Sequence, residues 1–525
     1  MQKILTATLL GVVISLCACS GGGDSTASAP TPPPPTDPTP PAVNGPAWFG
    51  FGGDAQHTAV GAIATQPLTR VVWTTPVDTA PQYSGSALLI HYGSPAITAK
   101  STVIVGVKTA ASDAFRIEAR GGTNGALIWS ATSDYISPSG SSWAPSYNVA
   151  LTATNRLYAP GAGGKLLFRV DADAVSGDVQ NAVFYGAANY AAASATYNSV
   201  VRINTPLTID AAGNVFFGFV VTGANPANLQ SGIARMGADG NGAWVAASVA
   251  AAPAVVGKVA TNSAPALSAD GRTLYVAVNT IPQSGTRQSG YLLALNATTL
   301  ATKAKIQLLD PVSGTPAWIS DNSTSSPTVG PDGDVYVGVL EANAPSHNFR
   351  GWLLHFDANL GVSKTSGSFG WDDTASIVPV SMVPSYTGPS TYLLMTKYNN
   401  YGGSGSGDGK NRIAIVDPNV SQPDTIANVA VMKEVMTILG TTPDPDYPAG
   451  VKEWCINTAA VDPLTRSVLA NSEDGYLYRW DLTTNTFSER IRLNNGLAES
   501  YTPTAIGPDG KVYAINNAAL FAVGR

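Results

Sequence analysis

Ser325-Ser-Pro-Thr-Val-Gly-Pro-Asp-Gly-Asp-Val-Tyr-Val-Gly-Val339 reads as a short strand opened by Ser-Pro, an Asp-Gly turn, and a second strand alternating Val and Tyr. Asp-Gly between two alternating runs is a strong hairpin signal, because the turn needs positive φ and glycine adopts it without a steric penalty. The phrase returns at 205–217, 264–275 and 502–513, and weaker copies begin near Ser94-Pro95, Ser146, Val378-Pro379 and Thr458. A unit repeated this often cannot bury its own faces and must stack on its neighbours. The blade starts fall near Pro95, Ser146, Pro206, Pro265, Pro327, Pro379, Thr458 and Pro503. Their spacing predicts an all-β, eight-bladed propeller with four-stranded antiparallel blades. Seven blades is the alternative count, since the second, sixth and seventh copies match poorly.

Closure follows from the two ends. After Thr502 there is room for three strands, at 503–507, 511–516 and 519–524, while Leu68-Thr-Arg-Val-Val-Trp-Thr-Thr-Pro-Val77 is a strand with no neighbour in sequence. If it supplies the missing outer strand of the last blade, the ring shuts and no sheet edge is left open. No helix-period stretch of useful length is expected.

Composition agrees. The chain has 525 residues, 44% hydrophobic and only 12% charged, with 53 Gly, 37 Pro and a net charge of −6. So mild a charge argues against nucleic-acid binding and shows no polybasic membrane patch. Residues 1–18 read as a signal peptide, with Lys3 before a short apolar run. Leu16-Cys-Ala-Cys19 resembles the lipobox of bacterial lipoproteins, which implies acylation at Cys19 and, with Ser20 following, an outer-membrane destination on the periplasmic side or at the cell surface. Residues 19–45 are rich in Gly and Ser, then Pro, and are expected to be a solvated tether. The propeller then occupies 46–525. Without Cys17 and with Cys19 acylated, Cys455 is the last thiol, so neither a disulfide nor a cysteine metal site is expected; a buried thiol is its plain reading.

The blades resemble those of the quinoprotein-like (PQQ-repeat) propellers, in which a turn glycine precedes a tryptophan on the outer strand. Gly125-Ala-Leu-Ile-Trp129 and Gly240-Asn-Gly-Ala-Trp244 fit this pattern, and Val71-Val-Trp73 looks like the end of another copy. The resemblance implies the fold for nearly the whole mature chain.

Propeller geometry gives the two faces different loops. Turns between first and second strands, and third and fourth, are short here. Those between second and third strands, and between blades, are long, and long loops on a rigid scaffold are where binding surfaces are built. Residues just ahead of each first strand should ring the channel on that face: His91, Tyr92, Trp143, Tyr147, Arg202, Asn204, Asn262, Asn322, Asp372, Asp373, Glu453, Trp454, Glu499 and Tyr501. Paired acids such as Asp372 and Glu453 suit general acid–base work or an oxygen-ligated divalent ion. The plainer alternative is that they cap strands and solvate the rim. The four histidines lack metal-ligand spacing, and no metal site is expected.

Three functions compete. The first is a non-catalytic binding or assembly scaffold, anchored by its lipid, meeting a protein or glycan partner on the long-loop face, with no cofactor. The second, implied by the resemblance, is a PQQ- and Ca-dependent dehydrogenase of alcohols or sugars. Such enzymes bring an adjacent Cys-Cys pair to the quinone, and this chain has none. The third is a polysaccharide- or lactone-acting enzyme, resting on the rim acids and aromatics.

Overall fold

A computed structural model describes residues 46–84, 87–88, 91–138, 146–280, 288–319, 325–495 and 501–525. They form an eight-bladed β-propeller of antiparallel blades. The innermost strands are Ala96–Ile97, Ala150–Leu151, Thr208–Ile209, Ala266–Leu267, Thr328–Val329, Ser376–Pro379, Ala460–Asp462 and Ala505–Ile506. Every predicted blade start is therefore at or beside an inner strand, and the eight-blade count holds. The signal, tether and Cys19 lie outside the described residues, as do Trp143, Asn322 and Glu499.

The ring closes as the chain ends suggest. Arg70–Pro76 pairs antiparallel with Ala519–Gly524, from Arg70 opposite Gly524 to Pro76 opposite Ala519. Trp73 then reaches into the first blade, where its Nε1–H donates to Gly122 O at 3.0 Å. Gly125 there has φ +69°, and a Cβ on it would lie 2.7 Å from the Trp73 ring. Trp129 repeats the docking one blade on, with Nε1–H donating to Ala172 O at 2.8 Å and the Arg169 guanidinium 4.2 Å from its ring. Gly125 is thus a seat for the tryptophan of the preceding blade, whereas a Cβ on Gly240 would meet nothing within 4 Å.

Second strands such as Thr273–Asn279 and Tyr392–Tyr398 are buried at every residue. Each blade is packed on both faces by its neighbours, so alternation gives way to continuous burial. The outer strand Thr486–Arg492, with one face to solvent, alternates instead. The Ser and Thr residues of the repeat form a belt between blades. Ser263 Oγ donates to Ser325 O, the Ser326 amide to Thr374 Oγ1, and Ser376 Oγ to Ala459 O, at 2.9, 3.0 and 2.6 Å. These hydroxyls satisfy backbone groups where the inner strands crowd together.

Some features were not foreseen. Two short helices, Ala187–Ala192 and Ser194–Val200, fill the connection into the third blade, contrary to the expectation of no useful helix. The stretch is alanine-rich, and alanine has the highest helix propensity. The unequal loops hold in the fifth and sixth blades, at 340–351 and 399–411, but the seventh and eighth blades turn tightly at 472–475 and 517–518. The sixth blade also carries a long connection, 380–391, on the opposite face.

The largest surprise is the segment 48–66. It runs once round the channel on the short-turn face, bonding to inner strands in blade order. The amides of Ile97, Leu151, Leu267, Val329, Ile377 and Val461 donate to the carbonyls of Trp48, Phe49, Ala55, Gln56, Thr58 and Ala59 at 2.8–3.0 Å. The Gln66 amide then reaches Gly510 O at 2.8 Å, just before the closing strand begins. His57, buried with φ +60°, sets its Nδ1 2.7 Å from Pro327 O. The channel is laced shut on this side.

Candidate functional site

The predicted ring residues separate into two groups. His91, Tyr92, Asp372, Asp373, Glu453 and Tyr501 come together around the channel. His91 meets Tyr501 edge to face at 4.8 Å between centroids. The Tyr501 hydroxyl donates to the Asp372 carbonyl at 2.6 Å, and the Tyr92 hydroxyl to Asp78 Oδ2 at 2.9 Å.

The others serve packing. Tyr147 stacks on Tyr135 at 5.2 Å between the first two blades. Arg202 is half-buried and donates to the carbonyls of Asn198 and Ser199 at the end of the second short helix. Asn204 ties the third blade to the fourth through Val259 O at 2.9 Å. Trp454 packs against Tyr478 and Phe487 within the seventh blade.

A residue that sequence reasoning missed organises the first group. Lys397 lies on the second strand of the sixth blade, Tyr392–Tyr398, and forms an ion pair with Asp372; the two side chains are 1% and 2% exposed. Its Nζ lies 5.6 Å from the Tyr501 ring centroid and 5.8 Å from that of Phe369. Burial alone would depress the ammonium, but the Asp372 carboxylate, with Cys455 and Asp373 also near, outweighs it and holds Lys397 above its ordinary value. The same burial, aided by the Lys397 charge, keeps His91 well below the usual imidazole range, so its ring is neutral.

Asp373 accepts a hydrogen bond from Thr396 Oγ1. Burial pushes its carboxyl up to about 7, against the opposing pull of Lys397 and Thr396. Glu453 is half-buried, and burial together with the neighbouring Glu473 carboxylate drives it well above the ordinary range. One ammonium thus faces several acids, and burial leaves part of that set protonated. Cys455, 3% exposed, packs on Tyr501 in the same cluster.

Among the described residues, the cavity beside Tyr92 and Tyr501 is small. The cavity bounded by Phe51, Tyr92, Ser94, Asn262, Asn457, Tyr501 and Pro503 has a volume of about 10 Å³. That is about the room one water needs, whereas ligand pockets run to several hundred Å³. Phe51, carried in by the lacing segment, takes part of the bore. Among the described residues, no three His, Cys, Asp or Glu side chains converge as metal ligands.

A second constellation has the residue types of a nucleophilic triad but the wrong wiring. Ser368 Oγ donates to Asp424 Oδ1 at 2.5 Å, and His347 Nε2 lies 3.2 Å from the other oxygen of the same carboxylate. The serine is 3.5 Å from that same imidazole nitrogen. In a working triad the imidazole stands between serine and carboxylate. Here the carboxylate takes both, His347 is stacked on Trp352 at 3.8 Å, and serine and histidine are buried. The cluster is structural.

No family model matches the sequence, and no curated protein matches it. Solved structures do. The chain is similar to a europium-containing methanol dehydrogenase, with TM-score 0.55 and 11% identity, covering 90% of this chain and 89% of that one. It is also similar to the quinohemoprotein alcohol dehydrogenase of Comamonas testosteroni, with TM-score 0.53 and 13% identity over 92% and 82% of the two chains. BamB of Moraxella catarrhalis matches at TM-score 0.45 and 12% identity, over 87% and 99%. The fold is the propeller fold of the two dehydrogenases.

PQQ, the quinone that the sequence resemblance implies, is a fused-ring tricarboxylate bound beside a metal cation. The described channel residues do not fit it. The described cavity beside Tyr92 and Tyr501 holds about 10 Å³, and the ammonium that would meet its carboxylates is already paired with Asp372.

Proposed function

We propose that the chain is a non-catalytic binding or assembly scaffold. In this reading acylated Cys19 and the 19–45 tether hold the propeller at the outer membrane, and its long-loop face meets a protein or glycan partner. The observation that carries it is the buried pair at the channel: Lys397 and Asp372 neutralise one another there at 1% and 2% exposure, and the described cavity between Phe51 and Tyr501 is about 10 Å³. Binding energy must then come from the outer surface. Pro46 shares a cleft with Gly507, in the inner turn of the eighth blade, and in this reading the tether ahead of it would leave from the short-turn face. A lipid at its far end would turn the long loops away from the membrane.

A second reading, a quinone-dependent dehydrogenase, is favoured by one observation. The Asp373 carboxyl, brought to about 7 by burial, is suited to a general base working near neutrality. Purified protein mixed with PQQ and Ca²⁺ separates the two. The scaffold predicts no retained cofactor absorbance and no dye-linked oxidation of alcohols or sugars; both appearing together would establish the dehydrogenase.

A further inference from the structure

The lacing segment skips one blade. In six blades an inner-strand amide donates to a carbonyl of 48–59, as with Leu151 to Phe49 O at 2.8 Å and Leu267 to Ala55 O at 2.8 Å, each just before its turn. Between these two the chain bends away at Gly50–Gly53, where the Gly53 amide returns to Gly50 O at 3.1 Å. It therefore passes by the third blade, whose equivalent residue is Ile209. The Asp210 amide donates to Asn214 O at 3.0 Å, fixing the ladder register. By antiparallel alternation the N–H and C=O of Ile209 face away from the blade, toward the channel side. No backbone group of the lacing segment meets them. The eighth blade also lacks this bond, but there Gly61 stands over Ile506: a Cβ on Gly61 would lie 2.7 Å from Ile506 Cδ1. Over Ile209 there is instead a cleft of about 320 Å³.

Its walls are largely apolar, formed by Phe49, Leu207, Ile209 and Leu267 with Gln56, Thr208 and Ser268 among them, and its ionisable groups are of one sign. Asp54, Asp210 and Asp270 line it, and no cationic side chain does. The carboxylates are fixed by their own turns: Asp210 accepts from the Asn214 amide at 2.8 Å and Asp270 from the Arg272 amide at 3.0 Å. Arg272, 84% exposed, stands 4.0 Å from Asp270 outside the cleft.

We infer that this cleft binds an extended peptide segment of a partner, which adds to the inner strand of the third blade through Ile209 and places a lysine or arginine by Asp210. Strand addition supplies the backbone hydrogen bonds that the lacing segment makes elsewhere, and the one-signed lip sets the charge of the guest. The site is on the short-turn face and does not depend on the scaffold reading of the long-loop face.

The test is fluorescence polarisation with the full-length protein and a labelled, capped octapeptide, Gly-Val-Ala-Val-Lys-Val-Ala-Gly. Saturable binding is expected, with affinity at least tenfold lower when the peptide lysine is replaced by glutamate. Ile209→Pro removes the outward N–H and trims the side chain, and should weaken binding at least tenfold, while Ile209→Val, which trims the side chain but keeps the N–H, leaves it unchanged. If the proline variant fails to fold, Ala153→Trp, at an exposed position on the cleft wall, should abolish binding instead. No saturable binding, or equal binding by wild type and the proline or tryptophan variant, overturns the proposal. Binding that appears only after removal of residues 1–45 would make the chain's own tether the occupant and overturns it as well.

Discussion

Lys397 and Asp372 form an ion pair inside the propeller, with their side chains 1% and 2% exposed. Two charges so thoroughly removed from water persist only because each answers the other. Asp372 sits at φ +52°, a conformation asparagine shares readily, so its charge can be removed without straining the backbone. Lys397→Met should cost about 3–5 kcal/mol in equilibrium urea unfolding, since it strands a buried carboxylate. Adding Asp372→Asn should recover most of that loss. Equal destabilisation by the single and double variants would show that the pair is not coupled.

A pH dependence follows from the lacing segment. Burial lowers His57 to about 4 from an ordinary 6.5. The folded state therefore holds a neutral ring where the unfolded chain takes up a proton, and stability is lost as pH falls from 6.5 toward 4. The loss is on the order of 3 kcal/mol. His57→Asn suits the positive φ and does not titrate. Its unfolding free energy should fall less than that of the wild type between pH 7 and 4.5, measured by urea titration at each pH. Parallel curves would remove His57 from the acid sensitivity.

One indole on the closing strand, Trp73, docks it against the first blade. Trp73→Ala removes a ring 8% exposed, together with its bond to Gly122 O. It should cost about 3–5 kcal/mol. Gly125→Ala presses a methyl to within 2.7 Å of the same ring at φ +69° and should destabilise through the same contact. Because both act at one seat, the double variant should fall short of the sum, as coupled sites do. Additive losses would place the glycine outside the tryptophan's seat.

Much of this was legible in sequence because its chemistry is local. Asp-Gly turns, Ser-Pro strand openings and a strand without a neighbour at Leu68–Val77 needed no distant information. The lacing segment did. The Gln56 carbonyl meets the Val329 amide 3.0 Å away, across 273 residues of chain, and the segment has no periodicity to announce it. Lys397 was hidden differently: in Tyr-Leu-Leu-Met-Thr-Lys-Tyr398 it reads as the polar member of an alternating strand, yet every residue there is buried. The ring residues were placed by position alone, which cannot tell a side chain turned to the channel, as His91 is, from one turned into a blade, as Trp454 is. The run Ala187–Val200 carried a signal in its alanines that strand counting passed over.

The most direct test of a sealed channel is the reactivity of Cys455, 3% exposed in the cluster of Tyr501 and Lys397. Native protein is treated at pH 8 with an aromatic disulfide reagent, and the Cys455 peptide is followed by mass spectrometry. The account predicts that modification proceeds only as fast as the protein unfolds, and completes promptly in denaturant. Full labelling of folded protein within minutes would mean that the bore is open to small molecules, and would contradict it.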